Sequence, residues 1–326
     1  MSETDVVISV VIVTKDRANA LRAISLPSLL KQEFVDFEVI LWDASDDCSS
    51  EVVASGLREV FAERSSGGLR YFKAPRPGMT KQRNDSIKVA KGDVVFFIDD
   101  DSEVSSDGIG ALKRCMDRHP EALGFGLTVY QALEDGSFRR RDNSFKGKVL
   151  RALGYRKRRR VSLSGSGMSM SAPAGPAEWL SGGSMAFRKK IFDSMKFNEK
   201  LETFGSYAIF EDIEFSHRVF RRYGKPLYIA EDGYIVHRSA VGDRLWGVDR
   251  AAATFYNRYL TMKVASENHP ILGHLFYLWA VGRRAIKMSR EFGLKKTFKG
   301  LLLAISAIRK ERANGRRRNL RRKKPV

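Results

Sequence analysis

Val94-Val95-Phe96-Phe97-Ile98-Asp99-Asp100-Asp101 decides how this chain folds. Five apolar residues, with two Val and two Phe, spell a short strand buried on both faces, bounded by Gly92-Asp93 before it and carboxylates after it. Asp is a poor strand former and favours turns. A strand-ending turn with solvated side chains accounts for one Asp, or two. Three in a row, directly after a buried run, repel one another and fit better as oxygen ligands for a hard divalent cation, Mg²⁺ or Mn²⁺.

Toward the N-terminus the same punctuation repeats. Residues 6–13, 37–42 and 69–73 read as further buried strands. Helical patterns lie between them: Leu26, Leu29 and Leu30 after the first strand, and Val53, Leu57, Val60 and Phe61 on one face of residues 49–64. Residues 80–90 make a short helix leading into Val94. Strands alternating with helices predict βαβ units, an α/β fold with a mostly parallel sheet and helices on both faces. Ligands of such sheets sit beyond the carboxyl ends of the strands. Asp16, Asp43 and Asp99 to Asp101 all fall there. No Gly-x-Gly-x-x-Gly follows the first strand and no Gly-x-x-x-x-Gly-Lys-Ser/Thr occurs, which argues against a dinucleotide enzyme and a P-loop nucleotidase. Pro75-Arg76-Pro77-Gly78-Met79-Thr80-Lys81-Gln82-Arg83-Asn84 runs from a stiff turn into a helix start. Its N–H groups and cations suit a diphosphate, while Lys81 and Arg83 also suit a solvated helix face.

Four segments, Ser9-Val10-Val11-Ile12-Val13-Thr14, Asp43-Ala44-Ser45-Asp46-Asp47, Lys81-Gln82-Arg83-Asn84 and Phe97-Ile98-Asp99-Asp100-Asp101, resemble in that order glycosyltransferase family 2. Members of that family have the Rossmann-like GT-A fold and invert configuration at the transferred sugar. The resemblance spans roughly residues 6–245. It implies a nucleotide-diphosphate-sugar donor, with uridine or thymidine favoured. Thr14, Asp16 and Asp43 would hold the base and Arg83 the diphosphate. Asp99 and Asp100 would reach the ribose, and Asp101 is the firmest metal ligand, with Asp99 as a second.

The second half is expected to hold the acceptor and a base. Residues 107–118 read as a helix and 124–130 as a strand. Residues 138–160 are strongly basic and 164–177 lack periodicity, so about 138–177 is expected to be a mobile loop near the site. Trp179-Leu180-Ser181-Gly182-Gly183-Ser184 resembles the family's Gly-rich acceptor-side segment, whose glycines let backbone approach the donor closely; a bulged strand is the plainer reading. Phe210-Glu211-Asp212-Ile213-Glu214 opens an amphipathic helix with Ile213, Val219 and Phe220 inward. Acidic residues at a helix start complement its dipole. The matching Glu-Asp pair of the family makes Asp212 the general base and gives Glu211 an acceptor hydroxyl, with Glu214 more variable. Residues 227–230 and 234–236 read as two short strands, and His237 after them resembles the imidazole that completes a GT-A metal site. His217, inside the helix, reads as structural. The Gln-x-x-Arg-Trp motif of processive synthases is missing, so one sugar is expected per encounter.

The 326 residues carry a net charge of +20, and the surplus is local. From Arg283 onward 17 Lys/Arg face only Glu291 and Glu311. Three helical patterns, 251–265, 271–290 and 295–310, hold apolar stripes, Leu275, Leu278 and Trp279 on one and Leu301, Leu302 and Ile305 on another. The organisation is therefore residues 1–245 as a catalytic domain, divided into a donor half (1–101) and an acceptor half (102–245), followed by a basic helical appendage, 246–326. Stripes beside dense cations suit an anionic membrane surface. A packed helix with a solvated tail is the plainer alternative, and counterion release on nucleic acid a rival, without a nucleic-acid motif to support it. Cys48 and Cys115 lack metal or redox spacing, and the N-terminus lacks a signal-peptide plan, so a cytoplasmic protein at the inner face of a membrane is expected.

Overall fold

The computed structural model describes residues 7–133, 137–140, 158–168, 172–238 and 245–322. They fall into two compact units. The first comprises residues 1–161, 167–198 and 211–243; the second comprises 162–166, 199–210 and 244–326.

Four parallel strands build one side of the first unit: β1 (Ile8–Thr14), β2 (Phe37–Asp43), β3 (Leu69–Lys73) and β4 (Val94–Ile98). Between them run α1 (residues 18–30, widened to a π turn at Leu21–Ser25), α2 (Ser49–Arg64) and α3 (Met79–Ser86). Alternate residues feed two apolar clusters, one on each face. Val10, Ile12, Phe96 and Ile98 join Leu26, Leu29 and Phe61 on one side. Val11, Val95 and Phe97 join Phe187, Phe192 and Phe215 on the other. Burial on both faces is why these strands are continuous apolar runs rather than alternating ones. Each fully buried Phe contributes about 2 kcal/mol of transfer free energy, so Phe97→Ala would cost about 3–5 kcal/mol once its cavity is counted.

The remaining elements of the sheet are β5 (Ser102–Val104), β6 (Gly124–Ala132), β7 (Phe138–Arg140), β10 (Gly175–Ala177), β11 (Met185–Arg188) and β12 (Leu227–His237). The order is β10-β12-β6-β11-β4-β1-β2-β3, with β5 beside β12 and β7 beside β6. Helix α4 (Gly108–Arg118) covers β6 and β12, and α5 (Glu211–Tyr223) follows the Gly182-Gly183 turn in the chain. The mixed α/β sheet with its parallel donor side is the fold expected.

Two expectations change. Residues 227–237 form one strand rather than two, because the polar Glu231-Asp232-Gly233 step is absorbed as a register shift between Ile229 and Tyr234. Residues 158–168 and 172–177 also carry short paired strands, the first in a ribbon of its own, rather than an unbroken loop. β8 (Arg160–Val161) pairs with β9 (Gly167–Met168), and β10 extends the sheet edge on β12. Backbone pairing orders this stretch without any apolar periodicity, which is why the sequence pattern concealed it. The rest of the expected mobile loop, residues 141–157 and 169–171, lies outside the described residues.

In the second unit α6 (Gly247–Ala265), α7 (Pro270–Phe292) and α8 (Leu294–Arg322) pack against one another. Close approach is purchased with glycine. A Cβ on Gly300 would stand 2.5 Å from the Ala251 Cβ, and one on Gly273 would meet the Ser266 side chain. Asn257 on α6 anchors the segment 199–210 by donating to the Leu201 and Ile209 carbonyls, at 2.8 and 2.9 Å. Among the described residues no helix is long and apolar enough to cross a membrane.

Candidate active site

The end of β4 separates its three carboxylates by side. Asp100 turns inward, where Thr14 Oγ1 donates to Oδ2 at 2.7 Å and Arg17 Nη1 pairs with Oδ1 at 2.9 Å. Burial pushes its pKa up to about 7, against the opposing pull of Arg17 and Thr14. Asp101 is also buried; Arg17 Nη2 donates to its Oδ2 at 2.6 Å and His237 Nε2 lies 3.2 Å from Oδ1. Asp99 stays half-exposed.

His237 arrives by strand pairing. It sits opposite Ser102 where β12 runs antiparallel to β5, and the Arg238 N–H donates to the Asp101 carbonyl at 2.9 Å. Asp99, Asp101 and His237 thereby bring one ligand atom each within 4.8 Å of one another. Two carboxylates and one imidazole form a donor set that fits Mn²⁺, and also Mg²⁺, so the residues present suit the cation expected.

The Ser181–Ser184 turn forms the adjoining wall. A Cβ on Gly183 would stand 2.7 Å from Asp99 Oδ2, and one on Gly182 would stand 2.8 Å from Glu211 Oε1. Gly182 N donates to Asp212 Oδ2 at 3.0 Å, and Gly182 O accepts from Arg83 Nη2 at 3.3 Å. Both glycines are needed for room rather than for torsional freedom.

Glu211 and Asp212 open α5 directly after Phe210, whose φ of 73° is in the left-handed region an aromatic residue rarely adopts. Arg83, fully buried from α3, donates from Nη1 to Glu211 Oε1 at 2.9 Å and lies 3.8 Å from Asp99 Oδ1. Phe97 and Phe197 flank its guanidinium at 5.7 and 5.6 Å. Arg83 therefore bridges the Asp99 side and the Glu211 side. Burial and repulsion from Asp212 raise Glu211 to about 7, with Arg83 opposing. Burial also raises Asp212, with the Ile213 and Gly182 N–H groups opposing.

Other residues singled out from sequence lie apart. Asp43 is buried and accepts from Ser45 N and Tyr71 Oη, both at 2.9 Å. Asp16, at φ 53°, accepts from Asp46 N at 2.8 Å and pairs with Lys15, tying the loops after β1 and β2 together. A cleft of about 410 Å³ opens beside them, lined by Asp16, Arg17, Asn19, Asp47 and Ser49 among others. Trp179 is buried, its indole donating to Met168 O at 3.1 Å with Arg159 over the ring. Glu214 is held by Arg218, with both contacts at 3.1 Å. His217 is pushed down to about 4 by burial and packs on Phe220, so it is neutral and enclosed. Arg17 was not singled out from sequence. Its only local signal was a cation three residues after the strand end at Thr14, and its partners lie more than eighty positions away.

Residues 9–194 match the profile of "Glycosyl transferase family 2". The chain is 26% identical over 226 residues to a Campylobacter jejuni GalNAc(5)-diNAcBac-PP-undecaprenol beta-1,3-glucosyltransferase, covering 66% of this chain and 64% of that relative. It thus spans less than two thirds of the relative's length. An uncharacterized Mycobacterium tuberculosis protein is 31% identical over 91 residues, 27% of this chain and 26% of that one. Among solved structures, S. aureus TarS residues 1–349 in complex with UDP-GlcNAc superposes with a TM-score of 0.54 at 18% identity, covering 83% of this chain and 71% of that one. At such identity the likeness carries the fold. With more than half the chain matching the profile, the chain belongs to glycosyltransferase family 2.

Proposed function

We propose that the enzyme transfers one sugar, with inversion, from a uridine or thymidine diphosphate sugar to a saccharide or lipid-linked saccharide during assembly of a cell-surface polysaccharide. The observation that carries this reading is the Gly182-Gly183 turn. It touches Asp99 of the carboxylate–imidazole cluster on one side and Asp212 on the other, so leaving group and incoming hydroxyl have separate places across one wall. Residues 1–101 hold the donor and 102–245 the acceptor in this assignment.

Asp99, Asp101 and His237 would hold Mn²⁺ or Mg²⁺, which when bound supplies positive charge for the departing diphosphate. Asp16 on the rim of the cleft meets the base, with Thr14 and Asp43 buried behind it at the ends of β1 and β2, where Asp100 accepts from Thr14. Arg83 offsets charge from the Asp99 side while holding Glu211 in place, where Glu211 meets an acceptor hydroxyl. Asp212 takes the proton of the attacking hydroxyl as its oxygen bonds to the anomeric carbon and the bond to the diphosphate breaks. A single displacement of this kind inverts the centre. Gly182, Gly183 and Trp179 shape the acceptor side, Trp179 through the packing of the hairpin beneath it.

The named relatives support the finer choices. One acts on an undecaprenol-linked saccharide and another was captured with a uridine diphosphate sugar. A lipid-linked acceptor would place the protein in the cytoplasm, peripheral at the inner membrane face. Nucleic acid is disfavoured as a partner.

Calorimetry with a panel of nucleotide diphosphates, in Mn²⁺, Mg²⁺ or chelator, tests the reading. Base-selective, metal-dependent binding that is lost in Asp101→Ala is expected. Failure of the wild type to bind any of them overturns it.

A further inference from the structure

We propose that the outer face of α7 and α8 docks on an anionic lipid bilayer, lying in its surface without crossing it; the inference deepens the lipid-linked acceptor reading and rests on it. A helix on the surface of a soluble domain buries its apolar stripe and shows water its polar one. α7 does more than that. Gly273, Tyr277, Val281 and Met288 recur at helical spacing on its buried face, where Tyr277 Oη donates to Phe255 O of α6 at 3.0 Å. The opposite face is apolar as well: Ile271 is 77% exposed, Leu275 59%, Leu278 63%, Trp279 61% and Ile286 59%. α8 repeats the pattern with Leu294, Phe298, Leu302 and Ile305, all exposed and spaced three or four residues apart. Such a continuous water-facing stripe marks a surface that something covers.

The charge beside the stripes selects the cover. Arg283, Lys287 and Arg290 follow on α7, and Lys295 and Lys299 flank the stripe on α8. The Arg283 guanidinium lies 4.6 Å over the Trp279 ring, an aromatic–cation pair suited to a headgroup boundary. Of the two acidic residues in these helices, Glu311 is bound to Lys200 at 2.8 Å, which leaves the face strongly positive. A second copy would bring two positive rims together. A nucleic acid would answer the cations and leave the apolar stripe in water. Acyl chains for the stripe and anionic headgroups for its rim answer both.

The test is sedimentation of the full chain with vesicles of phosphatidylglycerol and phosphatidylethanolamine, against phosphatidylcholine alone. Binding to the anionic vesicles is expected. Trp279→Glu with Leu278→Glu, both exposed and free to change without unpacking the helix, should weaken it by at least about tenfold. Lys295→Glu with Lys299→Glu, or added salt, should weaken it by about tenfold or more. Donor binding in solution should stay as in wild type for all variants. Absence of sedimentation, or equal sedimentation of the variants, overturns the inference. So does a lipid-free dimer abolished by Trp279→Glu, or RNA binding that displaces the vesicles and ignores Trp279→Glu. Loss of donor binding in the wild type would instead strike the glycosyl-transfer reading, which the vesicle result does not touch.

Discussion

Arg17 Nη2 donates to Asp101 Oδ2 at 2.6 Å while Nη1 pairs with Asp100 at 2.9 Å, so one guanidinium bridges two adjacent buried carboxylates. A cation entering between Asp99, Asp101 and His237 meets charge already present. Arg17→Gln should therefore bind Mn²⁺ more tightly without donor, by about tenfold, since a like charge a few ångströms away is removed. It should also lose about 3 kcal/mol of stability in chelator, because breaking a buried pair leaves carboxylates uncompensated, and regain part of it with Mn²⁺. Paramagnetic titration and thermal unfolding read the two effects. Equal Mn²⁺ affinity in both proteins would remove Arg17 from this role.

Asp212→Asn should lower kcat by roughly two or more orders of magnitude and leave donor affinity close to wild type. Single-turnover kinetics beside calorimetry separate the two. Wild-type turnover in the variant would mean another group accepts the proton.

Glu211 gives a pH dependence with a definite sign. Its folded pKa is raised to about 7 from an ordinary value of 4.5, so between those values the folded state binds more protons than the unfolded one. Stability from this group is present below pH about 4.5 and is lost as pH rises toward 7. Glu211→Gln should flatten that part of the stability profile, measured by urea unfolding across the range. Asp212 is raised too, so the acid limb of kcat should lie above the usual carboxylate range.

Gly183→Ala would set a methyl group 2.7 Å from Asp99 Oδ2. Either the turn or the carboxylate must move, at a cost of about 1–3 kcal/mol. Mn²⁺ affinity should fall while circular dichroism stays native. An unchanged affinity would show that Asp99 is not confined by this wall.

His237 and His217 should part company. His237→Ala should weaken Mn²⁺ binding about 10–100-fold, in line with the loss of a ligand or its close support. His217→Phe should alter stability alone, since that ring is enclosed between α5 and the Glu178 backbone, with Nδ1 3.4 Å from the carbonyl. The comparison needs one metal titration and one melting curve for each.

The donor side was legible because its information is local. Residues 49–64 and 69–73 have the same bounds in the sequence and in the fold, since helical spacing and a buried run each declare themselves within a few residues. What escaped depends on distant partners. Arg17 gains meaning only beside Asp101, the β8–β9 pairing has no apolar period, and the segments 162–166 and 199–210 join the C-terminal helices through distant side chains such as Arg258 and Asn257. Asp43 and Arg83 were visible as charged residues at strand and helix ends. Their sequestration by Tyr71 and Glu211 was not.

The pairing of β12 with β5 also sets a timetable. Asp99 and Asp101 leave the ribosome with the donor half, but His237 and the Arg238 N–H that grips the Asp101 carbonyl follow much later in the chain. At about 5–20 residues per second a nascent donor half waits several seconds for its imidazole. During that interval the protein has carboxylates but not the full cluster. The Asp99–Asp101–His237 cluster is thus complete only once the chain has been made through residue 237.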